Sequence, residues 1–508
     1  MITGESAMQK NSFNHMLVAA STLAMVAGSQ TVYAQIEEVT VTGLRASILN
    51  SVEAKRQSDV VSDVVDAGAA GTLPAVSIAD ALGRIPGVTT VRSSGHTSEL
   101  NIRGMNGDFI ETTLNGNEQA STSSYTASSR WMAFDQYPAE LITQAAVYKS
   151  PKASLIEGGV AGTVEMKTAD PLLAPKEQNV NVGYRHSYND AAKSVGADES
   201  GDRLSFSYQG KFLEETLGVA VGAAHFTQPN NFEGARAGAD GKNGYTQYDV
   251  NGDGVKEALP QSLQYQAGKG SDTRDGYMAT VVYKPTESFK AQVDYFKSTY
   301  DSEDLRHGVT VSGLDTGLSQ FALSNAQIVN GVVTSGTVAF NKPNTTNQGS
   351  PWFEARTEDQ TTKADSDSYG LNVEWNVSDT VLLKANVAHS EGTKTRKDRL
   401  ASLTAYEFGT GSDGLPTWQE LSGQSMTFVG NGTKTPTLSF NNANVLTSDK
   451  MHLSRYEEYP HKYTDTIDSV KVDLKVDVEL GFINSFETGI RISDRVFDSH
   501  RGDRKSVV

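Results

Sequence analysis

The sequence lacks cysteine, carries fewer basic than acidic residues, and has almost no long apolar run. Zero cysteines in 508 residues exclude a disulfide scaffold and any thiolate metal site. The formal net charge of −17 argues against nucleic acid as a partner, because neutralising phosphates needs concentrated Lys and Arg. Beyond the N-terminus, no segment approaches the ~20 apolar residues of a membrane helix, so a helical membrane protein is excluded.

Sequence motifs of enzymes are also missing. The chain contains no G-x-x-x-x-G-K-[ST], no H-E-x-x-H and no G-x-S-x-G, the patterns of phosphate-binding loops, zinc proteases and serine hydrolases. Its nine histidines are scattered along the chain. We therefore expect no enzyme, and no cofactor other than the calcium ion considered below.

The N-terminus has the pattern of an export signal. A 13-residue apolar run at Met16–Gly28 follows Lys10 and precedes Val32-Tyr33-Ala34, with small residues at the two cleavage-site positions. We interpret residues 1–34 as a signal peptide that is cleaved after Ala34; a buried helix is the alternative. The protein is thus expected to work outside the cytoplasm.

After the signal peptide, the chain has two regions with different sequence patterns. Residues 35–175 mix helix and strand patterns, whereas the remainder alternates apolar and polar residues in successive segments. In the clearest of these, Val470–Leu480, apolar residues occupy one face and charged residues the other over eleven positions, which indicates a strand. About nine segments fit this pattern.

The connections between these segments alternate in length. Short turns are predicted near 211–216, 284–288, 378–380 and 481–484, and long polar loops near 187–202, 227–274, 299–366 and 393–467. This alternation is typical of a large antiparallel transmembrane β-barrel, with short periplasmic turns and long extracellular loops. A soluble β-rich domain is the alternative. Because the strand count is odd and the tail at 501–508 is polar, we expect the barrel to be incomplete.

Residues 36–168 contain an ordered set of motifs that resembles one family. The set consists of IEEVTVT at 36–42, SIADALGRIPGV at 77–88, NIRG at 101–104, TLNG at 113–116, and YPAELITQAAVYK followed by SPKASLIEGGVAGTVEMKT at 137–168. In this order and behind a signal peptide, it resembles the TonB-dependent outer-membrane receptors, in a subfamily often linked to carbohydrate uptake. The resemblance implies an N-terminal α+β plug domain in the lumen of the barrel. It divides the chain into a TonB box and linker (35–60), a plug domain (61–175) and a partial β-barrel (176–508).

The same resemblance implies partners and roles for particular residues. The protein would lie in the outer membrane of a Gram-negative bacterium, inserted into lipid by the barrel-assembly machinery and energised by TonB. The TonB box would bind TonB by adding an extended strand to the edge of a sheet. Arg103 and Gly104 would latch the plug, with barrel glutamates as partners. The box residues are Ile36, Glu37, Glu38, Val39, Thr40, Val41 and Thr42, and the candidate glutamates are Glu374, Glu479 and Glu487.

The ligand is expected at a Ser/Thr-rich loop of the plug, residues 116–135, which we call the apex loop. Its candidate contacts are Gln119, Tyr125, Arg130, Trp131 and Phe134, because flat aromatic rings with amides and hydroxyls suit a sugar. A siderophore or cobalamin receptor of the same architecture remains an alternative. So do a passive porin, a soluble exported binding module and a truncated, non-functional fragment.

One segment outside the plug has the pattern of a calcium loop. Asp249, Asn251, Asp253 and Glu257 place oxygen ligands at alternating positions around a Gly turn. Position twelve is Pro260, so the bidentate Glu of an EF-hand loop is missing. The sequence leaves open both calcium binding and a plain acidic turn.

Overall fold

A computed structural model of the chain is predominantly β-structure. It describes residues 48–66, 77–93, 96–122, 130–237, 244–314, 321–340, 352–410, 416–420, 425–431, 434–441, 451–481, 483–502 and 505–506. Among these residues, no helix is long and apolar enough to cross a membrane. The signal peptide and the predicted TonB box lie outside the described residues.

In its described residues, the plug region combines two α-helices and three short 3-10 helices with seven short strands. Helix α1 covers residues 48–56 and α2 covers Ile78–Leu82. The strands are β1 (Ser62–Asp66), β2 (Val88–Ser93), β3 (His96–Ile102), β4 (Ile110–Leu114), β5 (Asn117–Glu118), β6 (Gln144–Tyr148) and β7 (Gly162–Lys167). Five of them form a mixed sheet in the order β1-β6-β7-β4-β5, and β2 pairs with β3.

Helix α2 begins with a capping box formed by Ser77 and Asp80. In it the Ser77 backbone N–H donates to Asp80 Oδ2 at 3.3 Å. The helix ends at Leu82. A Cβ at Gly83 would lie 2.5 Å from Thr90 Cγ2, so the neighbouring strand β2 approaches the chain here, closely enough to favour a glycine.

The remaining strands follow in chain order. They are β8 (Gln178–Tyr188), β9 (Ser200–Phe212), β10 (Leu217–Ala237), β11 (Tyr245–Tyr248), β12 (Glu257–Pro260), β13 (Leu263–Thr286), β14 (Phe289–Ser312), β15 (Phe321–Val329), β16 (Val332–Phe340), β17 (Trp352–Ser378), β18 (Val381–Thr410), β19 (Pro416–Glu420), β20 (Ser425–Asn431), β21 (Lys434–Phe440), β22 (Met451–Leu480), β23 (Ile483–Arg501) and β24 (Lys505–Ser506).

Nine long strands build one antiparallel sheet, which we call the wall. Its order is β23-β22-β18-β17-β14-β13-β10-β9-β8, with β19 and β24 attached to β18 and β22. In the described part of the chain, the end strands β8 and β23 do not pair with each other, so the sheet is open. The predicted short turns are confirmed between β9 and β10, β13 and β14, and β17 and β18.

The predicted long loops are partly wrong, because the strands continue into them. β18 and β22 are each 30 residues long, and most of the polar stretch at 299–366 belongs to strands. A backbone ladder needs no apolar residue, and polar cross-strand pairs such as Lys297 with Asp367 stabilise it. A search for apolar alternation therefore detects only one end of each strand.

The other loop segments form a second, smaller sheet. Strands β11, β12, β16, β20 and β21 pair in this order, and β15 pairs with β16. They enclose an apolar core of their own, which contains Leu259, Phe321, Val338, Met426 and Phe428. Leu263 and Val311 from β13 and β14 join this core, so the small sheet packs on the ends of wall strands.

The two faces of the wall differ in polarity. One face, here called the outer face, exposes apolar side chains to solvent, whereas the inner face contacts the plug through polar ones. The exposed outer-face side chains include Val281, Val293, Leu371, Trp375, Val387, Val470, Phe486, Ile490 and Ile492. A water-soluble sheet would bury such a face, so this polarity is reversed relative to a soluble sandwich.

Candidate functional site: the plug–wall interface

A short plug segment runs along the inner face of the wall. We call residues 115–121 the contact strip; it includes β5 and the start of the apex loop. Five of its residues bond to wall side chains from three neighbouring strands. Asn372 Nδ2 donates to Asn115 O (3.4 Å), Asn386 Nδ2 to Asn117 Oδ1 (2.6 Å), Gln119 Nε2 to Ser368 Oγ (3.2 Å), Ala120 N to Ser390 Oγ (3.0 Å) and Ser121 N to Asp465 Oδ2 (2.8 Å).

Charged groups join the contact strip to β22 and β23. Glu118 Oε2 lies 2.6 Å from Arg491 Nη2, and Glu118 Oε1 lies 3.6 Å from Arg495 Nη1. Arg495 also donates two hydrogen bonds to Asp465, at 2.8 and 2.6 Å. We call these four residues together with Glu111 the ionic cluster. Because Glu118 and Asp465 are buried, removing one partner would leave an uncompensated charge in the interior.

Glu111 on β4 is the titratable member of this cluster. Burial, reinforced by the negative charge of Glu118, raises the pKa of Glu111 to about 8. Arg495, Arg491 and Arg130 act on the same carboxyl in the opposite direction. Glu111 is therefore mostly protonated at neutral pH. Its pKa depends on the wall arginines and on Arg130 of the apex loop.

The ion pairs between plug and wall share one polarity. Arg203 Nη1 of β9 donates to Glu140 at 2.9 Å, and Lys290 Nζ of β14 donates to Asp170 at 2.6 Å. With the Glu118–Arg491 pair, each of these contacts has its carboxylate on the plug and its cation on the wall. The sequence predicts the reverse arrangement, a plug arginine facing barrel glutamates.

The latch predicted at Arg103 and Gly104 is wrong. Both residues have positive φ, 54° and 80°, and Ile102 and Met105 exchange two backbone hydrogen bonds of 3.0 Å around them. They therefore form a tight hairpin turn within the plug. Arg103 is exposed and forms no ion pair with any described residue. Of the three candidate glutamates, Glu374 pairs with Lys384 on the wall, and Glu479 and Glu487 are exposed.

Apolar packing also holds the plug to the wall. The plug core is continuous with Ala220, Met278 and Phe296 of the wall. The Tyr137 ring stacks on Phe296 with centroids 5.0 Å apart and planes 7° apart.

A wall glycine allows the plug to approach this closely. A Cβ at Gly276 of β13 would lie only 2.5 Å from Pro138 Cγ. The proline ring is rigid, so it cannot move aside as a flexible side chain would. Any side chain at position 276 would therefore push the plug away from the wall.

The five candidate ligand-binding residues of the apex loop differ in their exposure to solvent. Phe134 is 2% exposed in the plug core, and Gln119 is 4% exposed between Ser368 and the Tyr137 hydroxyl, so neither is accessible to an external ligand. This corrects both predictions. Tyr125 lies outside the described residues. Arg130 is exposed and Trp131 partly exposed, and both stay predictions.

The calcium-like loop folds as a hydrogen-bonded turn. Asp249 accepts from the N–H groups of Gly252 and Gly254 at 2.7 and 3.0 Å. The buried Glu257 accepts from Val250 N–H at 3.0 Å. Asn251 and Asp253 likewise accept from backbone N–H groups. Within the described ranges, no group of three or more His, Asp or Glu residues could hold a metal ion. Calcium binding stays a prediction.

The fold and the plug–wall interface together define the fold class of the chain. The chain combines an α+β plug with a large antiparallel sheet whose polar face contacts that plug, which is the predicted fold class. Residues 54–164 match the family model of the TonB-dependent Receptor Plug Domain. This match lies within the predicted limits of the plug and linker.

Solved structures give weaker likenesses. The siderophore receptor PirA from Acinetobacter baumannii is 12% identical and aligns over 87% of this chain and 92% of its own, with a TM-score of 0.30. A mutant of the ferric enterobactin receptor PfeA from Pseudomonas aeruginosa is 10% identical over 87% and 91%, with a TM-score of 0.29. The alcaligin receptor FauA from Bordetella pertussis is 9% identical over 86% and 81%, with a TM-score of 0.29. These values are too low to support a conclusion. No curated protein matches the chain.

Proposed function

We propose that this chain is a TonB-dependent receptor of the bacterial outer membrane that binds an external nutrient and imports it. The observation that carries the proposal is the polarity of the wall, with apolar side chains outward and a polar inner face bonded to a plug. The family match of residues 54–164 supports it independently. Lipid would cover the outer face, and the plug would fill the inner one.

The length of the strands supports an extracellular extension. A transmembrane strand needs ~9–11 residues, whereas wall strands of 24 to 30 residues would extend about 80–100 Å. Most exposed apolar residues of β17, β18, β22 and β23 lie toward the ends with short turns, whereas Leu403 and Leu453 lie toward the opposite ends. That end would lie in the bilayer and the polar remainder outside the cell.

The plug–wall contacts suggest how transport would be gated. TonB bound at Ile36–Thr42 would pull on the N-terminal end of the plug. Movement of the plug requires the contact strip to separate from the wall and the ion pairs of Glu118 with Arg491 and Arg495 to break. The barrel-assembly machinery and membrane lipid are the other partners that this proposal requires.

The proposed substrate is an oligosaccharide or a siderophore. The exposed Arg130 and the partly exposed Trp131 suit either ligand class.

The absence of cysteine allows a clean test of the TonB contact. We expect Val39→Cys to form a disulfide with a cysteine-bearing TonB in cells. Ser288→Cys, in the turn between β13 and β14, serves as the control and should not be trapped. A passive porin would give no trapping at position 39. A soluble exported binding module would be recovered without detergent in the periplasmic fraction, which would also contradict the proposal.

A further inference from the structure

A charged cavity lies on the inner face of the wall, away from the ionic cluster. Its volume is about 390 Å³. Each of the neighbouring strands β14, β17, β18, β22 and β23 contributes one arginine to its lining: Arg306, Arg356, Arg396, Arg455 and Arg501. A further arginine at its edge, Arg399, is paired with Asp359 at 2.5 Å. These arginines are different from those of the plug–wall contacts described above.

Four of these arginines pair with an acid two residues away on the same strand. Arg356 Nε lies 2.6 Å from Glu358 Oε1, Arg396 Nε lies 2.8 Å from Asp398 Oδ1, and Arg455 Nε lies 2.6 Å from Glu457 Oε1. Arg306 pairs with Asp304 in the same way. These pairs fix the planes of the guanidinium groups, and Arg396 Nη2 also donates to Gln360 Oε1 at 3.1 Å.

The strand register aligns charges across the sheet. Arg396, His461 and Arg501 are directly opposite one another on β18, β22 and β23. Since adjacent strands are ~4.8 Å apart, this alignment presents two cations within about 10 Å. Arg501 is exposed and has no ion pair with any described residue, so the lining carries one more arginine than acids.

This lining selects for a particular ligand chemistry. Alternating guanidinium donors and carboxylate acceptors match neighbouring hydroxyl groups, which both donate and accept hydrogen bonds. The paired carboxylates would repel a compact ligand with several negative charges, whereas the one unpaired arginine can accept a single anion. A neutral sugar would form no ion pair with Arg501.

We propose that this cavity binds an acidic oligosaccharide, a sugar chain with many hydroxyls and an isolated carboxylate. The inference rests on the proposed function, because it names the substrate class of that receptor. The carboxylate would bind between Arg396 and Arg501, and the hydroxyls along the paired arginines and acids.

Binding to the full-length protein, purified in detergent, tests the proposal. The probes are aldotetraouronic acid (xylotriose bearing one glucuronate), neutral xylotetraose, and ferric tris-catecholate with three negative charges. We expect aldotetraouronic acid to bind at least tenfold more tightly than the other two by calorimetry. Arg396→Gln and Arg501→Gln should each weaken it about tenfold or more, since each removes a charge-assisted hydrogen bond.

Lys397→Gln is the matched control, because it removes one positive charge from the opposite face of the same strand. Circular dichroism and thermal unfolding establish that each variant is folded, and Arg501 is exposed enough for its substitution to be tolerated.

Equal affinity for xylotetraose, Arg-dependent binding of ferric tris-catecholate in place of the sugar, or an equal effect of Lys397→Gln would each overturn the proposal. The measurement needs no TonB. Binding without trapping at position 39 would thus contradict only the proposed function.

Discussion

The Asp465 carboxylate on the wall accepts a hydrogen bond from the Ser121 backbone N–H at 2.8 Å while it ion-pairs with Arg495. The Ser121 hydroxyl in turn donates to the Trp131 carbonyl at 2.6 Å. Two positions of the apex loop are therefore connected to one buried carboxylate, Ser121 directly and Trp131 through Ser121. A ligand that moves Trp131 would act on the ionic cluster through Ser121.

Replacement of Asp465 by Asn should loosen the plug. The change leaves Arg495 with only the more distant Glu118 as an acidic partner and weakens the bond to Ser121. Breaking one side of a buried pair costs about 3–5 kcal/mol. We expect faster hydrogen exchange across the contact strip, measured by mass spectrometry. Asp468→Asn, an exposed position on the outer face of the same strand, should leave exchange unchanged; equal exchange in both variants would contradict the role of Asp465.

Glu111 should make the docked plug less stable as pH rises. Its pKa is raised from 4.5 to about 8, so the folded protein binds more protons than the unfolded chain between these values. The stabilisation is thus fully present below pH 4.5 and is lost as pH rises through about 8. Thermal unfolding from about pH 5 to about pH 9 should show this decline. Glu111→Gln, which stays neutral, should flatten it, and an unchanged slope in that variant would assign the decline to other groups.

A side chain at Gly276 should displace the plug without disrupting the wall. Gly276→Val would place carbon atoms within 2.5 Å of the rigid Pro138 ring. Overpacking of this kind costs about 1–3 kcal/mol. We expect protease cleavage of the plug while the far-ultraviolet circular dichroism of the sheet is preserved. Ala279→Val on the outer face of the same strand is the control, and cleavage there at the same rate would refute the steric explanation.

Alternation predicted which face each residue of a strand occupies, but not what that residue meets. On β23, Arg491 occupies the other face from Ile490 and Ile492, as alternation indicates. Its partner Glu118 is 373 residues away in the sequence. Phe134 belongs to a Ser/Thr-rich loop in the sequence, and only the tertiary fold shows that it is buried. The sequence pattern could not predict the arginine cavity, because the strand halves away from the short turns carry polar residues on both faces. An alternation of apolar and polar residues is therefore absent from these halves.

A covalent tether between plug and wall should block transport if the plug must move. Thr168 Oγ1 of the plug lies 3.1 Å from Thr280 Oγ1 of the wall, so Thr168→Cys with Thr280→Cys brings two thiols together across the interface. In a chain without other cysteines, their disulfide is unambiguous. In cells, oxidation should abolish accumulation of aldotetraouronic acid, and a reductant should restore it. Each single-cysteine variant should transport equally with or without oxidant. Undiminished accumulation through the oxidised double variant would mean that the ligand passes without displacement of this part of the plug.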